Sequence, residues 1–270
     1  MSLESHSTSL ESHTALVTGG SRGIGRATAF ALAQAGAAVA VLARSGDEVD
    51  RTVGELRSAG HRAAGYPADV ADAASLGKAF DALIGELGRI DILVNNAGVS
   101  WPVGPTASID VDRFADAVAI NLLGPMRCIR SVLPGMLDAG WGRIVNVTTG
   151  AATPPGLPRA AAYSASKAGL NQLTVNLAVE LAGTGVTVTA VDPGPVDTAM
   201  QDYMRDQPAE VIGARVHDMF RRYHAEGQLH TPEQPAQLIA ALAAGDVTGE
   251  IVAVASDRAA ALTHPSGPTG

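Results

Sequence analysis

The chain has 270 residues, 46% of them apolar and 4% aromatic, with a formal net charge of −8 and a single cysteine. That length suits one hydrophobic core, the charge argues against nucleic acid or an anionic membrane as a main partner, and a lone Cys128 excludes an internal disulfide framework or a thiolate metal cluster. No apolar run reaches membrane-spanning length and the N-terminus lacks the regions of a signal peptide, so a soluble, cytoplasmic protein is expected.

Residues 2–6 and 9–13 both read Ser-Leu-Glu-Ser-His. Two copies of a polar pentapeptide cannot bury a core, so residues 1–13 are expected to form a loose tail, with His6 and His13 solvated rather than bound to a metal. Short apolar runs then alternate with Ala-rich helical patterns over residues 14–255. Strands are predicted at 15–18, 38–43, 62–66, 90–94, 143–148, 186–191 and 250–254. Helices are predicted at 24–35, 47–59, 73–87, 110–138, 163–181, 198–225 and 232–243. Residues 256–270, which include Pro265-Ser266-Gly267-Pro268, read as a second loose tail. Strands apolar throughout belong in a sheet covered on both faces. Strict β-α alternation implies one doubly wound, Rossmann-type α/β domain with a seven-stranded parallel sheet and helices on both sides. Such sheets bind ligands beyond the carboxyl ends of the strands, where the strand order reverses.

The residues that follow the strands carry the chemistry. Strand one runs into Thr18-Gly19-Gly20-Ser21-Arg22-Gly23-Ile24-Gly25 and then a helix. Glycines allow positive φ and close approach of backbone to a ligand, and the helix N-terminus behind them offers free N–H groups to a pyrophosphate. Strand two ends in Ala43-Arg44-Ser45. A ribose 2′-hydroxyl wants an acid here and a 2′-phosphate wants arginine, so Arg44, with Arg22 as a second clamp, favours NADP(H); solvated arginines are the plainer alternative. Asp69-Val70 follows strand three and Asn95-Asn96-Ala97-Gly98 follows strand four. These residues address either the adenosine half of the cofactor or their own turns, through Asx-type bonds.

Tyr163-Ser164-Ala165-Ser166-Lys167 opens the sixth helical pattern. Residues four apart share a helix face, so the phenol and the ammonium address one small volume. A cation beside a phenol favours the phenolate and brings its pKa toward working pH, which makes a general acid/base for a carbonyl or an alcohol. Asn121 is a polar side chain inside an apolar run, where burial demands a partner.

The glycine turn, Asn95-Asn96-Ala97-Gly98, Tyr163-x-x-x-Lys167 and Pro193-Gly194 together resemble the compact branch of the short-chain dehydrogenase/reductases, and look like its NADPH-dependent 3-oxoacyl-carrier-protein reductases. The resemblance covers about residues 14–254. It implies that Tyr163 donates the proton, that Lys167 holds the nicotinamide ribose and lowers the tyrosine pKa, and that Asn121 anchors a water-linked proton path. It also implies that Pro193, Gly194, Val196 and Thr198 seat the nicotinamide. Two departures stand out. Asp192 occupies a position where the family commonly has Asn. The usual substrate-orienting serine is absent; counting back from the tyrosine gives Gly150, whereas alignment through the fifth strand gives Thr149.

The expected activity is NADPH-dependent interconversion of a ketone and a secondary alcohol, with a 3-oxoacyl thioester among the candidate substrates. The rival from another class is a non-catalytic NADPH-binding sensor on the same fold. A sugar-nucleotide epimerase needs a C-terminal substrate domain for which the predicted elements leave no room. Residues 198–228 are expected to form a lid over a small-molecule substrate, rich in Met and Arg. The 110–138 and 163–181 helices carry more small apolar residues than one sheet face can cover, and the resemblance implies that these pack into a homodimer or homotetramer.

Overall fold

A computed structural model describes residues 9–264. The first pentapeptide copy and residues 265–270 lie outside the described residues. Seven strands form one parallel sheet: β1 (Thr14–Thr18), β2 (Ala38–Ala43), β3 (Ala63–Pro67), β4 (Ile92–Asn95), β5 (Gly142–Val147), β6 (Val186–Asp192) and β7 (Ile251–Ala253), in the order β3-β2-β1-β4-β5-β6-β7. The chain moves outward from β1 to β3, then returns to lay β4 on the other side of β1. The reversal therefore opens a crevice between β1 and β4.

Strand alternation sorts the core into two layers. Leu16, Leu42, Leu93 and Ile144 pack with Phe80, Leu83, Ile129 and Leu177, which belong to α3 (Ala73–Leu87), α5 (Gly124–Ala139) and α6 (Ala161–Glu180). Val17, Val41, Val94 and Val145 pack with Leu32, Leu56 and Leu238, from α1 (Gly23–Gln34), α2 (Gly46–Ser58) and the later helix Glu233–Ala244. Covered on both sides, the strands need apolar side chains in both directions, which is why they read as continuous Val/Ala/Leu runs.

Two predicted helices require correction. The predicted 110–138 helix is two helices, α4 (Val111–Val118) and α5, joined by a wide π-type turn over Ala119–Leu123. Pro125 favours the break, having no N–H to give the Asn121 carbonyl four residues back, although α5 itself runs on through Pro134. The predicted 198–225 helix is three, α7 (Ala199–Arg205), α8 (Ala209–Ile212) and α9 (Ala214–Ala225). Pro208 and Gly213, at φ +85°, interrupt it. Following these is α10, Glu233–Ala244.

Neither tail begins where expected. Leu10 is buried, its N–H donates to the Ala35 carbonyl at 2.7 Å, and the His13 ring stacks on Trp141 with 3.8 Å between centroids. One apolar and one aromatic side chain suffice to dock the second copy of the repeat. At the other end, Ser256 caps a short helix α11 (Asp257–Thr263) that packs on α10. Among the described residues no helix is long and apolar enough to cross a membrane.

Candidate active site at the carboxyl edge of the sheet

Two turns meet in the crevice and clamp each other. The Thr18 hydroxyl accepts from the backbone N–H of Asn96 and of Ala97, each at 3.1 Å, and donates to the Val94 carbonyl at 3.3 Å. In return the Asn96 amide donates to the carbonyls of Thr18 and Gly19 at 2.9 and 3.1 Å. Gly19 turns at φ +63°, and a Cβ on Gly25 would overlap the Gly19 carbonyl oxygen and the Asn96 amide. The result is a bare backbone cradle at the head of α1, whose leading N–H groups have no side-chain cap. Such a surface fits the pyrophosphate of a dinucleotide.

Around this cradle the expected cofactor residues divide. Arg22 and Arg44 are exposed and carry no ion pair among the described residues. Ser45 caps α2, accepting weakly from the Glu48 N–H at 3.4 Å, and the Ser21 hydroxyl donates to Glu48 at 2.9 Å. Half-buried Asp69 closes its own turn on the Ala71 N–H at 2.8 Å, the Asx alternative. Val70 is buried against Gly124, and Ile24 packs into the helix-side core. Asn95 is a correction. Its side chain is 1% exposed and donates to Asn146 at 2.9 Å, and Asn146 donates on to Thr174 at 2.9 Å. Strand alternation points its side chain into the sheet–helix layer, where it ties β4 to β5 and α6 and leaves only backbone for a cofactor.

Gly98 links the cradle to the reacting groups: a Cβ there would lie 3.2 Å from Asn121 Oδ1 and 3.5 Å from Lys167 Nζ. Lys167 is 3% exposed and donates to the Val147 carbonyl at 2.7 Å. Burial lowers its pKa to about 8, so it keeps its proton at neutral pH, with two of its three N–H donors unassigned. Tyr163 stands one turn earlier on α6, half-buried. Its pKa is raised, first by burial and then by the Asp192 carboxylate, while a hydrogen bond with the Thr149 hydroxyl pulls the other way. The expected lowering by the lysine is absent, because Nζ is turned to Val147 and the phenol is desolvated.

Thr149, just beyond β5, is also within reach of the Ala151 N–H at 3.3 Å. Its neighbour Thr148 is 1% exposed, with its hydroxyl unpaired inside the protein. Asn121, 0% exposed on the π-type turn, grips both polar groups of the Val99 peptide at 2.9 Å and donates to Ser166 at 3.0 Å. Ser166 in turn donates to the Tyr163 carbonyl at 2.9 Å.

The sequence matches the short chain dehydrogenase family over residues 13–209. The chain belongs to that family. It is 39% identical to a cis-4-hydroxycyclohexanecarboxylate dehydrogenase of Sinomonas cyclohexanicum, over 89% of this chain and 94% of the relative. It is also 39% identical to a 3-oxoacyl-[acyl-carrier-protein] reductase of Synechocystis sp., over 74% and 81%. A variant of the actinorhodin polyketide ketoreductase solved with NADPH superposes with a TM-score of 0.83 at 35% identity, covering 94% of this chain and 98% of that one. This chain is therefore a short-chain dehydrogenase, an oxidoreductase built on the family's single Rossmann-like domain.

Sequence reasoning about this dehydrogenase missed several positioning groups. Thr18 and Asn96 lock the glycine turn, Ser166 ties Asn121 to the tyrosine's own turn, and Val147 presents its carbonyl to Lys167. A Thr ending a strand and an Asn in a turn carry no periodic signal, so only their partners 78 residues away reveal them. At the end of β6, Asp192 accepts from the Gly194 N–H at 3.1 Å, with Gly194 at φ +66°. Pro193 and Val196 are buried there, leaving Val196 only its backbone to offer. Thr198 sets its methyl over Gly23, 3.2 Å from where a Cβ would stand, so the loop before α7 leans on the glycine turn.

Proposed function

We propose that this short-chain dehydrogenase interconverts a ketone and a secondary alcohol with NADP(H), and that 3-oxoacyl thioesters are its substrate class. The bound cofactor supplies or accepts the hydride. Tyr163 exchanges the proton at the substrate oxygen, and the Thr149 hydroxyl holds that oxygen as charge develops on it. The observation that carries the reading is a Tyr163 phenol beside Thr149 and one helical turn from a buried Lys167, whose Nζ reaches Gly98 in the turn after β4. A raised tyrosine pKa keeps the phenol protonated at neutral pH, which suits a proton donor in reduction. Lys167, charged below about pH 8, has two donors left for ribose hydroxyls. Asn121 braces the Val99 peptide, and its carbonyl, which Pro125 cannot serve, would hold a water on the proton's way to the lysine.

Support for the 2′-phosphate comes from exposed, unpaired Arg22 and Arg44 at the rim of the glycine turn. Gly19, Gly23, Gly25, Ala97 and Gly98 supply backbone; Ser21, Ser45, Asp69, Val70, Ile24, Pro193, Gly194, Val196 and Thr198 complete the proposed walls. The thioester class is supported by the 3-oxoacyl-[acyl-carrier-protein] reductase relative. A homodimer or homotetramer belongs to the same reading, supported by Val111 and Val179, 72% and 75% exposed on α4 and α6. So does residence in the reducing cytoplasm, which suits one free, buried cysteine.

The test is Tyr163→Phe, assayed by cofactor oxidation with a 3-oxoacyl thioester and a small cyclic ketone. Turnover should drop by about 10²–10⁴-fold with cofactor binding intact, since only the transferable proton is lost. More than a tenth of wild-type turnover in that variant would remove Tyr163 from the role.

A further inference from the structure

The lid carries a cationic cleft that the reaction chemistry leaves unused. Its volume is about 500 Å³, and its lining is Arg205 and Asp206 at the end of α7 and Arg221, Arg222, His224 and Ala225 in α9. The chain as a whole holds 27 acidic side chains against 19 basic ones, so this concentration runs against its composition. Arg205 is paired with Asp202 at 2.6 Å. Arg221 and Arg222 are exposed and have neither an ion pair nor a side-chain hydrogen bond among the described residues. Helix carboxyl ends attract cations, and α7 and α9 both end here. That field accounts for one cation per helix, not for three arginines and a histidine facing a single lining carboxylate.

Position links the cleft to the glycine turn. Thr198 leans on the glycine turn, and α7 begins at the next residue. Six rises along that helix bring the chain to Arg205, about 9 Å from the loop. The cleft thus stands at the far end of one short helix from the loop that leans on the glycine turn. Arginine forks match the paired oxygens of a phosphate, and the cleft has room for more than a lone ion.

We infer that this cleft seats the phosphate at the far end of a pantetheine arm that carries the acyl substrate. The inference rests on the thioester reading above for its ligand class. The sources that share this chemistry are coenzyme A and the phosphopantetheine of a carrier protein.

The test is calorimetry on the NADP-loaded protein with 4′-phosphopantetheine and with pantetheine, which lacks the phosphate. The phosphorylated arm should bind about tenfold tighter, the scale of one screened charge-assisted contact. The Arg221→Gln, Arg222→Gln double variant should erase that gap with an unchanged circular dichroism melt. Equal binding of the two arms, no binding of either, or a gap that survives in the variant each overturns the assignment. Kinetics identify the source. A KM rise of about tenfold for both coenzyme A and carrier-borne thioesters, but not for the pantetheine thioester, assigns the cleft to the shared 4′-phosphate. A rise confined to the coenzyme A thioester assigns it to the nucleotide's phosphates, and overturns the arm-end assignment. If wild type reduces no thioester and no small ketone, the ketone–alcohol reading fails, while the calorimetry still decides the cleft.

Discussion

The glycine turn and the proposed lid, helices α7 to α9, are neighbours held in opposite ways. At the turn, directional bonds fix the backbone: Thr18 serves two N–H groups, Asn96 serves two carbonyls, and Gly25 leaves no space for a methyl. The lid rests on a small apolar cluster of Met204, Ile212, Val216 and Phe220, helped by Val103 and Leu157 from the loops beneath it. Its main polar tie is Arg159, which donates to the Val211 carbonyl at 3.0 Å and also to that of Glu210. Directional bonds tolerate little change, whereas apolar contact accepts any side chain of suitable size. Chemistry common to a family belongs on the first kind of surface and substrate choice on the second.

The largest expected effect comes from attacking each surface in turn. Gly25→Ala drives a methyl into fixed backbone, so overpacking should cost about 1–3 kcal/mol and dinucleotide affinity should fall at least about 100-fold. Phe220→Ala should leave dinucleotide affinity within about threefold and raise substrate KM instead, because it hollows only the lid cluster. Fluorescence titration with cofactor and a thermal melt separate the two. Should Phe220→Ala depress the main melt as much as Gly25→Ala, the lid is part of the sheet's core and the contrast collapses.

Within the fixed region, Thr149→Ala should lower turnover by about 10²–10³-fold, the scale of one lost oxyanion donor. Thr149→Ser should stay active. Thr148→Ala should leave turnover within about threefold, since strand alternation turns that hydroxyl away from the site. Parallel assays decide it: a crippled Thr148→Ala with a healthy Thr149→Ala would move the oxygen-binding role by one residue.

Lys167 offers a purely thermodynamic probe. Its folded pKa of about 8 lies below the ordinary 10.5. Between these values the unfolded chain binds more protons than the folded one, so stability must rise with pH from about 8 to 10. The full span amounts to roughly 3 kcal/mol. Chemical denaturation at pH 7, 8, 9 and 10 should show this climb, flattened in Lys167→Met. An unchanged slope in the variant would mean that another group carries the dependence.

The smallest effect is expected at the exposed rim. Arg44→Asp should cut the preference for NADPH over NADH by more than about tenfold, chiefly by weakening NADPH, since solvent screening limits each contact. Equal losses with both cofactors would make Arg44 structural.

Much of this molecule was readable from local pattern. Apolar runs alternating with helical repeats predicted seven strands and their parallel order of connection, because burial on both faces writes itself into each strand independently. The glycine turn was readable because positive φ and close approach select glycine whatever lies elsewhere. Tyr163 and Lys167 were readable because four residues make about one turn of helix. Tertiary structure alone decided what those patterns left open. Asn95 reads like a turn residue, yet its amide meets Asn146, 51 residues away, inside the sheet. Leu10 and His13 read like a tail, yet Ala35, Asp91 and Trp141 give them a place to dock. The sign of the tyrosine shift was likewise out of reach of spacing. It follows from desolvation and from the Asp192 charge, and both depend on what the fold brings around one oxygen. Periodicity is a property of neighbours in the chain; the partner that satisfies a buried polar atom is a property of neighbours in space.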